Sequence, residues 1–242
     1  MSTQLRFRDL PMAQESLASV TAVGADGVVV TDATLFYPQG GGQPGDRGVF
    51  ITADGRCLPV HDTRKGEGGD IWHYLDPGHD LVAGQSVTQQ IDWPRRWAHM
   101  RMHTALHLLS VLVPHGVTGG SIGAERGRLD FDLGEASVDK ETLNAGLKAL
   151  IAADHPVTSE WISEAELDAR PELVKTMSVA PPRGAGMIRM VRIGDIDYQP
   201  CGGTHVTSTA QVGALHVASI KNRGARNRRI TLAWNQTAEG QA

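Results

Sequence analysis

Two pairs of metal-competent side chains, far apart in the chain, constrain most strongly what this sequence can fold into. His103 and His107 stand four residues apart in Arg101-Met-His-Thr-Ala-Leu-His107, between Pro94 and Pro114. Met102, Leu106, Leu109 and Val113 recur there at helical spacing, so the stretch reads as one helix that opens near Asp92-Trp-Pro94. At that spacing both imidazoles leave the same face, one turn apart. His99 lies one turn further back on that face, so any two of the three rings can form the pair. Cys201 and His205 repeat the four-residue spacing in Cys201-Gly-Gly-Thr-His205, where Gly202 and Gly203 leave the backbone free to turn around an ion. Two such pairs supply four soft-to-borderline donors, a set that suits zinc. Four protein ligands close a tetrahedral site and favour a structural role, whereas a catalytic metal needs an open position. The spacing alone leaves both open. Thr104 rather than Glu follows His103, which disfavours a metalloprotease.

The residues before this helix have a different character. Short β-branched runs such as Val28-Val-Val-Thr31, Val49-Phe-Ile-Thr52, Cys57-Leu-Pro-Val60 and Ile71-Trp-His-Tyr-Leu75 are punctuated by Ala25-Asp-Gly27 and Ala53-Asp-Gly55. Asp-Gly between such runs is a hairpin signal. Several short strands at this spacing predict a small barrel or sandwich. Beyond the helix, strand patterns alternate with helical ones. Ser137 to Asp154 reads as a helix with Leu143, Leu147, Leu150 and Ile151 on one side, and Ser163-Glu-Ala-Glu166 is a capping box. Thr118 and Ser121 fall just after the metal-bearing helix. The expected fold is α+β: a barrel-like β domain over residues 1–90, then an α+β domain over residues 91–242 with helices packed on an antiparallel sheet.

One stretch of the first domain breaks the strand pattern. Phe36-Tyr-Pro-Gln-Gly-Gly-Gly-Gln-Pro-Gly-Asp-Arg47 cannot be a strand interior without cost. It is either a wide connecting loop or a loop whose bare backbone at Gly41 and Gly42 approaches another surface and presents Gln43.

Charge narrows the partners. The net charge of −4 argues against a non-specific nucleic-acid binder. Yet Lys221-Asn-Arg-Gly-Ala-Arg-Asn-Arg-Arg229 concentrates Lys221, Arg223, Arg226, Arg228 and Arg229 in a polar turn. With Arg189, Arg192, Arg95, Arg96 and Arg101 added, phosphate contact becomes plausible; the plain alternative is a solvated hairpin tip. The 2 cysteines do not form a disulfide framework, no apolar leader opens the chain, and no apolar run is long enough to span a bilayer. A cytoplasmic protein with no membrane contact is expected. Oligomeric state is not legible.

Taken together, His103-Thr-Ala-Leu-His107, Gln199-Pro-Cys-Gly-Gly-Thr-His-Val206 and the Gly-rich stretch ending at Asp46 resemble the alanyl-tRNA editing proteins of the AlaX family. They also resemble the editing domain of alanyl-tRNA synthetase and, more distantly, that of threonyl-tRNA synthetase. The resemblance implies zinc on His103, His107, Cys201 and His205, with His99 a neighbour. It implies hydrolysis of mischarged tRNA(Ala), chiefly Ser-tRNA(Ala) and also Gly-tRNA(Ala). No segment resembles a class II aminoacylation domain, so action in trans is expected. Gly41, Gly42 and Gln43 would then face the substrate pocket. From their position after the helix, Thr118 first and Ser121 second are candidate partners for a seryl hydroxyl, the plain alternative for each being an ordinary turn residue. Lys221, Arg223, Arg226 and Arg228 would meet tRNA. No side-chain nucleophile is expected, because Cys201 is a bound thiolate; water attacks with the help of zinc. Two other readings compete: an RNA-binding module with structural zinc, and a zinc hydrolase of small esters or amides.

Overall fold

The computed structural model describes residues 2–177 and 186–235. The chain divides into two compact units, Met1–Ala98 and His99–Ala242. The division falls eight residues beyond the composition shift at residue 90, inside the long helix.

In the first unit, β1 (Gln4–Leu5) and a short α1 (Arg6–Asp9) precede β2 (Glu15–Val23) and β3 (Val28–Thr31). Then come β4 (Ala33–Thr34), β5 (Gly48–Thr52), β6 (Cys57–Lys65), β7 (Ile71–Leu75) and β8 (Ser86–Ile91). Six of these close a barrel in the order β2-β3-β7-β6-β5-β8, every pairing antiparallel, so no edge of that sheet is left open. Alternation explains the closure. Val20, Val29, Phe50, Val60, Leu75 and Val87 point inward and are buried together with Leu35 and Phe36. The two Asp-Gly signals fall where expected, with Asp26 in the left-handed region at φ 57 and Gly55 at φ 84.

The barrel core is not purely apolar. His73 is fully buried on β7, edge-on to Phe36 with ring centroids 5.4 Å apart. Its Nδ1 lies 3.0 Å from the Val29 carbonyl, and the Thr34 hydroxyl lies 2.8 Å from Nε2. Burial pushes its pKa down to about 4, with the Val29 hydrogen bond opposing. The folded chain therefore keeps His73 neutral, while the unfolded chain takes up a proton near pH 6.5. Stability from this group is complete above that pH and is lost as pH falls toward 4. Between pH 7.5 and 5 the loss is about 2 kcal/mol. Urea unfolding at the two pH values should show that extra loss in the wild type relative to His73→Gln. Parallel pH dependences would contradict it.

The Gly-rich stretch leaves the barrel as an ordered loop. Gly40 and Gln43 exchange backbone hydrogen bonds of 3.0 and 2.9 Å around a two-residue tip. Gly41 and Gly42 occupy that tip at φ 57 and 81, a conformation that side chains resist. The tip is exposed, whereas Gln43 is buried. The base of the loop is clamped. The Asp46 carboxylate accepts from the Tyr37 amide at 2.6 Å and from the Arg96 guanidinium at 2.9 Å, and Arg96 also donates to the Leu35 carbonyl at 2.6 Å. Arg96 is 0% exposed, so the expectation that it contributes to a phosphate surface is corrected: its charge is spent inside the barrel unit.

The long helix α2 (Trp93–Leu112) begins where expected, with the Asp92 carboxylate accepting from the Arg95 amide at 3.2 Å. In the second unit it is followed by β9 (Val117–Ile122), β10 (Arg126–Asp132), α3 (Lys140–Ala152), β11 (Val157–Ser163) and α4 (Glu164–Asp168). β12 (Met187–Ile193), β13 (Asp197–Pro200), β14 (Leu215–Asn222) and β15 (Asn227–Trp234) complete it. Two antiparallel sheets result, ordered β14-β15-β10-β9 and β11-β12-β13. Helix α3 packs on β14. It starts later than Ser137 because Asp139 caps it, accepting from the Thr142 amide at 2.7 Å. The capping box at Ser163 forms as read.

Helix α2 is the spine of this unit. Met102, Leu106, Leu109 and Val113 are buried as their spacing predicts, and so are Met100, Ala105 and Leu108. Sheet and helix approach so closely at β10 that a Cβ on Gly127 would lie 2.6 Å from Met102 Cγ. The glycine there is a packing requirement. Among the described residues, no helix is long and apolar enough to cross a membrane.

Candidate metal centre

Helix α2 delivers His103 and His107 side by side, with ring centroids 5.2 Å apart. The turn after β13 delivers Cys201 and His205 to the same place. The His205 ring lies 4.2 Å from that of His103 and 4.7 Å from that of His107. Cys201 Sγ is 3.5 Å from His103 Nε2 and 3.3 Å from His205 Nε2. One donor atom from each of the four residues lies within 4.8 Å of the others. Zinc–nitrogen and zinc–sulfur bonds of about 2.0 and 2.3 Å put tetrahedral ligands roughly 3.5 Å apart. The donor set therefore fits a zinc-sized ion in chemistry and in spacing. His99 is buried nearby on α2 but is not a member of the cluster.

The outward nitrogens are held as well. His107 Nδ1 lies 2.9 Å from Asp197 Oδ2, and Lys175 Nζ lies 2.6 Å from Asp197 Oδ1. The Gln199 amide donates to Asp197 Oδ2 at 2.8 Å and to Ser110 Oγ at 3.3 Å. Thr104 Oγ1 sits 3.1 Å from His205 Nδ1. A ligating imidazole whose other nitrogen meets a carboxylate or hydroxyl is fixed in orientation and made more basic. Neither Asp197 nor Thr104 was assigned such a role from sequence. The signal was present: Asp197 and Gln199 alternate along β13, which runs directly into Cys201, and so share one face.

The electrostatics match. Burial pushes the Cys201 thiol up, but the surrounding imidazoles, His103 first, outweigh it and hold the thiol well below its ordinary value. A thiolate is the form that binds metal. Burial lowers His107, but its hydrogen bonds with Asp197 and Cys201 lift it to about 9. Burial raises Asp197, yet its partners His107, Lys175 and Gln199 bring it down to about 2. Burial and the His103 charge push His205 down to about 3. Among these groups charge is concentrated on Cys201, His107 and Asp197; His205 is already neutral, as a ligand must be, and His107 would reach that state by giving up its proton on metal binding.

Other candidates are placed as follows. Thr118 lies on β9, a strand that the helix-to-turn reading did not include, with its hydroxyl 3.0 Å from Asn227 Oδ1 and 3.2 Å from the Asp130 carbonyl. Two glycines in Val117-Thr-Gly-Gly-Ser-Ile122 masked the strand, which forms by pairing with β10. The basic segment is the β14–β15 turn. Lys221 and Arg223 are exposed there. Arg226 pairs with Asp132 at 3.0 Å, and the Arg228 guanidinium lies 3.1 Å from the Asn227 carbonyl. Arg229 pairs with Asp130 at 2.7 and 2.8 Å. Arg189 donates to the Cys201 and Gly203 carbonyls at 2.9 and 3.0 Å, which braces the ligand turn. Arg192 lies over the Tyr198 ring and pairs with Glu160.

The profile of the threonyl and alanyl tRNA synthetase second additional domain matches residues 188–231, which include Cys201 and His205. A second profile, described as class II (A) tRNA synthetases, matches residues 1–95, the barrel unit, which corrects the expectation that no segment resembles a class II synthetase. The alanyl-tRNA editing protein AlaX-M of Methanosarcina barkeri is 34% identical, with 95% of this chain and 98% of that protein aligned. AlaX-M of Saccharolobus solfataricus is 32% identical over 84% of this chain and 86% of its own length. The alanine–tRNA ligase of Methanothrix thermoacetophila is 34% identical over 98% of this chain but only 26% of its own length. The two units, the four-donor cluster and these full-length matches lead to one assignment: the chain belongs to the AlaX family of alanyl-tRNA editing proteins.

Proposed function

We propose that this aminoacyl-tRNA deacylase acts in trans on mischarged tRNA(Ala), with Ser-tRNA(Ala) as chief substrate and Gly-tRNA(Ala) as second. The observation that carries the reading is the gathering of the four donors in one cluster, with Cys201 at its less buried side. His103, His107, Cys201 and His205 would hold zinc. When bound, zinc supplies Lewis-acid help to the ester carbonyl and to an attacking water.

The remaining work falls to the chain's own groups. Asp197 fixes His107, Thr104 fixes His205, and Arg189 holds the Cys201–Gly203 turn, so the donors are set before substrate arrives. No side chain is assigned as nucleophile, since Cys201 is committed as a thiolate ligand. Gly41 and Gly42, exposed at the tip, are assigned a contact with the substrate through backbone N–H groups. The expectation that the loop presents the Gln43 amide is corrected, since Gln43 is buried and holds the tip through its backbone bonds to Gly40. Thr118 is assigned to the seryl hydroxyl. A site that hydrogen-bonds a hydroxyl rejects the substrate without one, because its own polar group is left unpaired. Lys221, Arg223, Arg226 and Arg228 are assigned to tRNA phosphates, and binding should weaken with salt accordingly.

Deacylation of Ser-tRNA(Ala) and Ala-tRNA(Ala) by the purified protein tests this. The serylated species should turn over at least about 100-fold faster in kcat/KM. Equal turnover of both would remove Ser selection. Equal cleavage of a seryl ester without tRNA would favour a small-ester hydrolase.

A further inference from the structure

The sheet β11-β12-β13 presents one face to the metal centre, and that face has an open end. Cross-strand pairing sets Val157 opposite Ile193, Ser159 opposite Val191, Trp161 opposite Arg189 and Ser163 opposite Met187. Ile193 and Val191 in turn face Asp197 and Gln199 on β13. These residues share a face, because directly paired side chains point the same way and alternate along each strand. Its closed end is buried: Val157, Val191, Ile193, Asp197 and Gln199 are all covered, and Asp197 bonds His107. Its other end is not. Trp161 and Met187 are each 45% exposed, and Trp161 is the one aromatic among the exposed large hydrophobic residues of the described chain.

Arg189 joins the two ends. It lies across from Trp161, its carbonyl accepts from the Cys201 amide at 3.0 Å, and its guanidinium binds the Cys201 and Gly203 carbonyls. Two strand spacings therefore separate the Trp161 backbone from Cys201, about 10 Å. Among the described residues nothing lies within 4 Å of where a Cβ on Gly202 would sit, so the space beside the ligand turn is open.

A deacylase needs a surface at such a place. The ester that it cleaves sits on the ribose of a terminal adenosine, and the adenine ring projects from the other side of that ribose. A base held one nucleoside away from the ester carbonyl needs an apolar platform beside the metal centre, and an indole face supplies one. A protein partner would be expected to demand a larger apolar area than one indole and one thioether. We propose that Trp161, paired across strands with Arg189, is the stacking surface for the terminal adenine of the aminoacyl-tRNA. The proposal rests on the deacylase reading, and Trp161 acts in it as a binding and positioning residue.

The test is a double-mutant cycle on binding, which needs no turnover. Uncharged acceptor-stem minihelices ending in CCA and in CC are titrated against wild type, Trp161→Phe, Trp161→Thr and Trp161→Ala. Threonine preserves strand propensity on this exposed edge should alanine fold poorly. Removal of the terminal adenosine should weaken wild-type binding about tenfold. It should change Trp161→Thr and Trp161→Ala binding less than twofold, and Trp161→Phe should keep most of the difference. An equal loss in wild type and in the threonine and alanine variants overturns the proposal, as does no loss in wild type. With Ser-tRNA(Ala), Trp161→Ala should raise KM about tenfold and leave kcat within twofold. A fall in kcat with unchanged KM also overturns it. Absence of wild-type turnover would count against the deacylase reading alone, since the binding cycle is read independently of it.

Discussion

Cys201→Ala is expected to strip the protein of zinc and to lower kcat/KM for Ser-tRNA(Ala) on the order of 1,000-fold. The substitution removes the softest donor of the cluster, the one that lies within 3.5 Å of both His103 and His205. Three imidazoles remain, but the anionic ligand that balances the metal charge is lost. His205 then also loses the thiolate that offsets the His103 charge beside it. Elemental analysis checks metal content and single-turnover deacylation checks the rate. Cys201 is only partly buried, so far-UV circular dichroism should be unchanged. Full metal occupancy after the substitution would show that the ligand set is wrong.

The second large effect is on stability. Asp46→Ala should destabilise the barrel unit by about 3–5 kcal/mol, because it leaves the Arg96 guanidinium buried without its carboxylate. The Tyr37 amide loses its acceptor as well. Urea unfolding should show an earlier transition. Combining Asp46→Ala with Arg96→Met should recover much of the loss, since an apolar pair of similar volume is often no worse than a buried ion pair. A single variant as stable as wild type would contradict the clamp, and so would a double variant no better than the single. The clamp ties the base of the Gly-rich loop through Leu35, Tyr37 and Asp46, so the single variant should also disturb that loop.

How much of this was legible in the sequence differs by element. The barrel was readable because its strands alternate between inward Val, Phe and Leu residues and outward polar ones, and because Asp-Gly turns need a left-handed residue. The helix ends were readable at Asp92 and Ser163, where a side chain caps the first turn. Strand β9 was not, because Gly119 and Gly120 carry no strand preference of their own and the partner strand makes the element. A histidine pair on α2 was legible because i and i+4 residues share a helix face, and Cys201 with His205 from residue type in a Gly-rich turn. Spacing left His99, His103 and His107 all open, and only the family resemblance chose His103 and His107. What spacing could not reveal was which groups hold them. Asp197 bonds His107 across 90 residues of sequence, and Thr104 meets His205 across 101. Those contacts form only where α2 lies against β13 and the turn that follows it, which is a tertiary fact. Arg96 misled for the same reason: a cation read as surface charge is matched by a carboxylate 50 residues upstream.

The central claim is that deacylation depends on a metal held by His103, His107, Cys201 and His205. The most direct measurement is deacylation of Ser-tRNA(Ala) by chelator-stripped protein as zinc is titrated back. Activity should be absent at the start and should rise linearly to a plateau at one zinc per chain, while the Cys201→Ala protein stays inactive throughout. Full activity of the stripped protein, with no response to added zinc, would contradict the account.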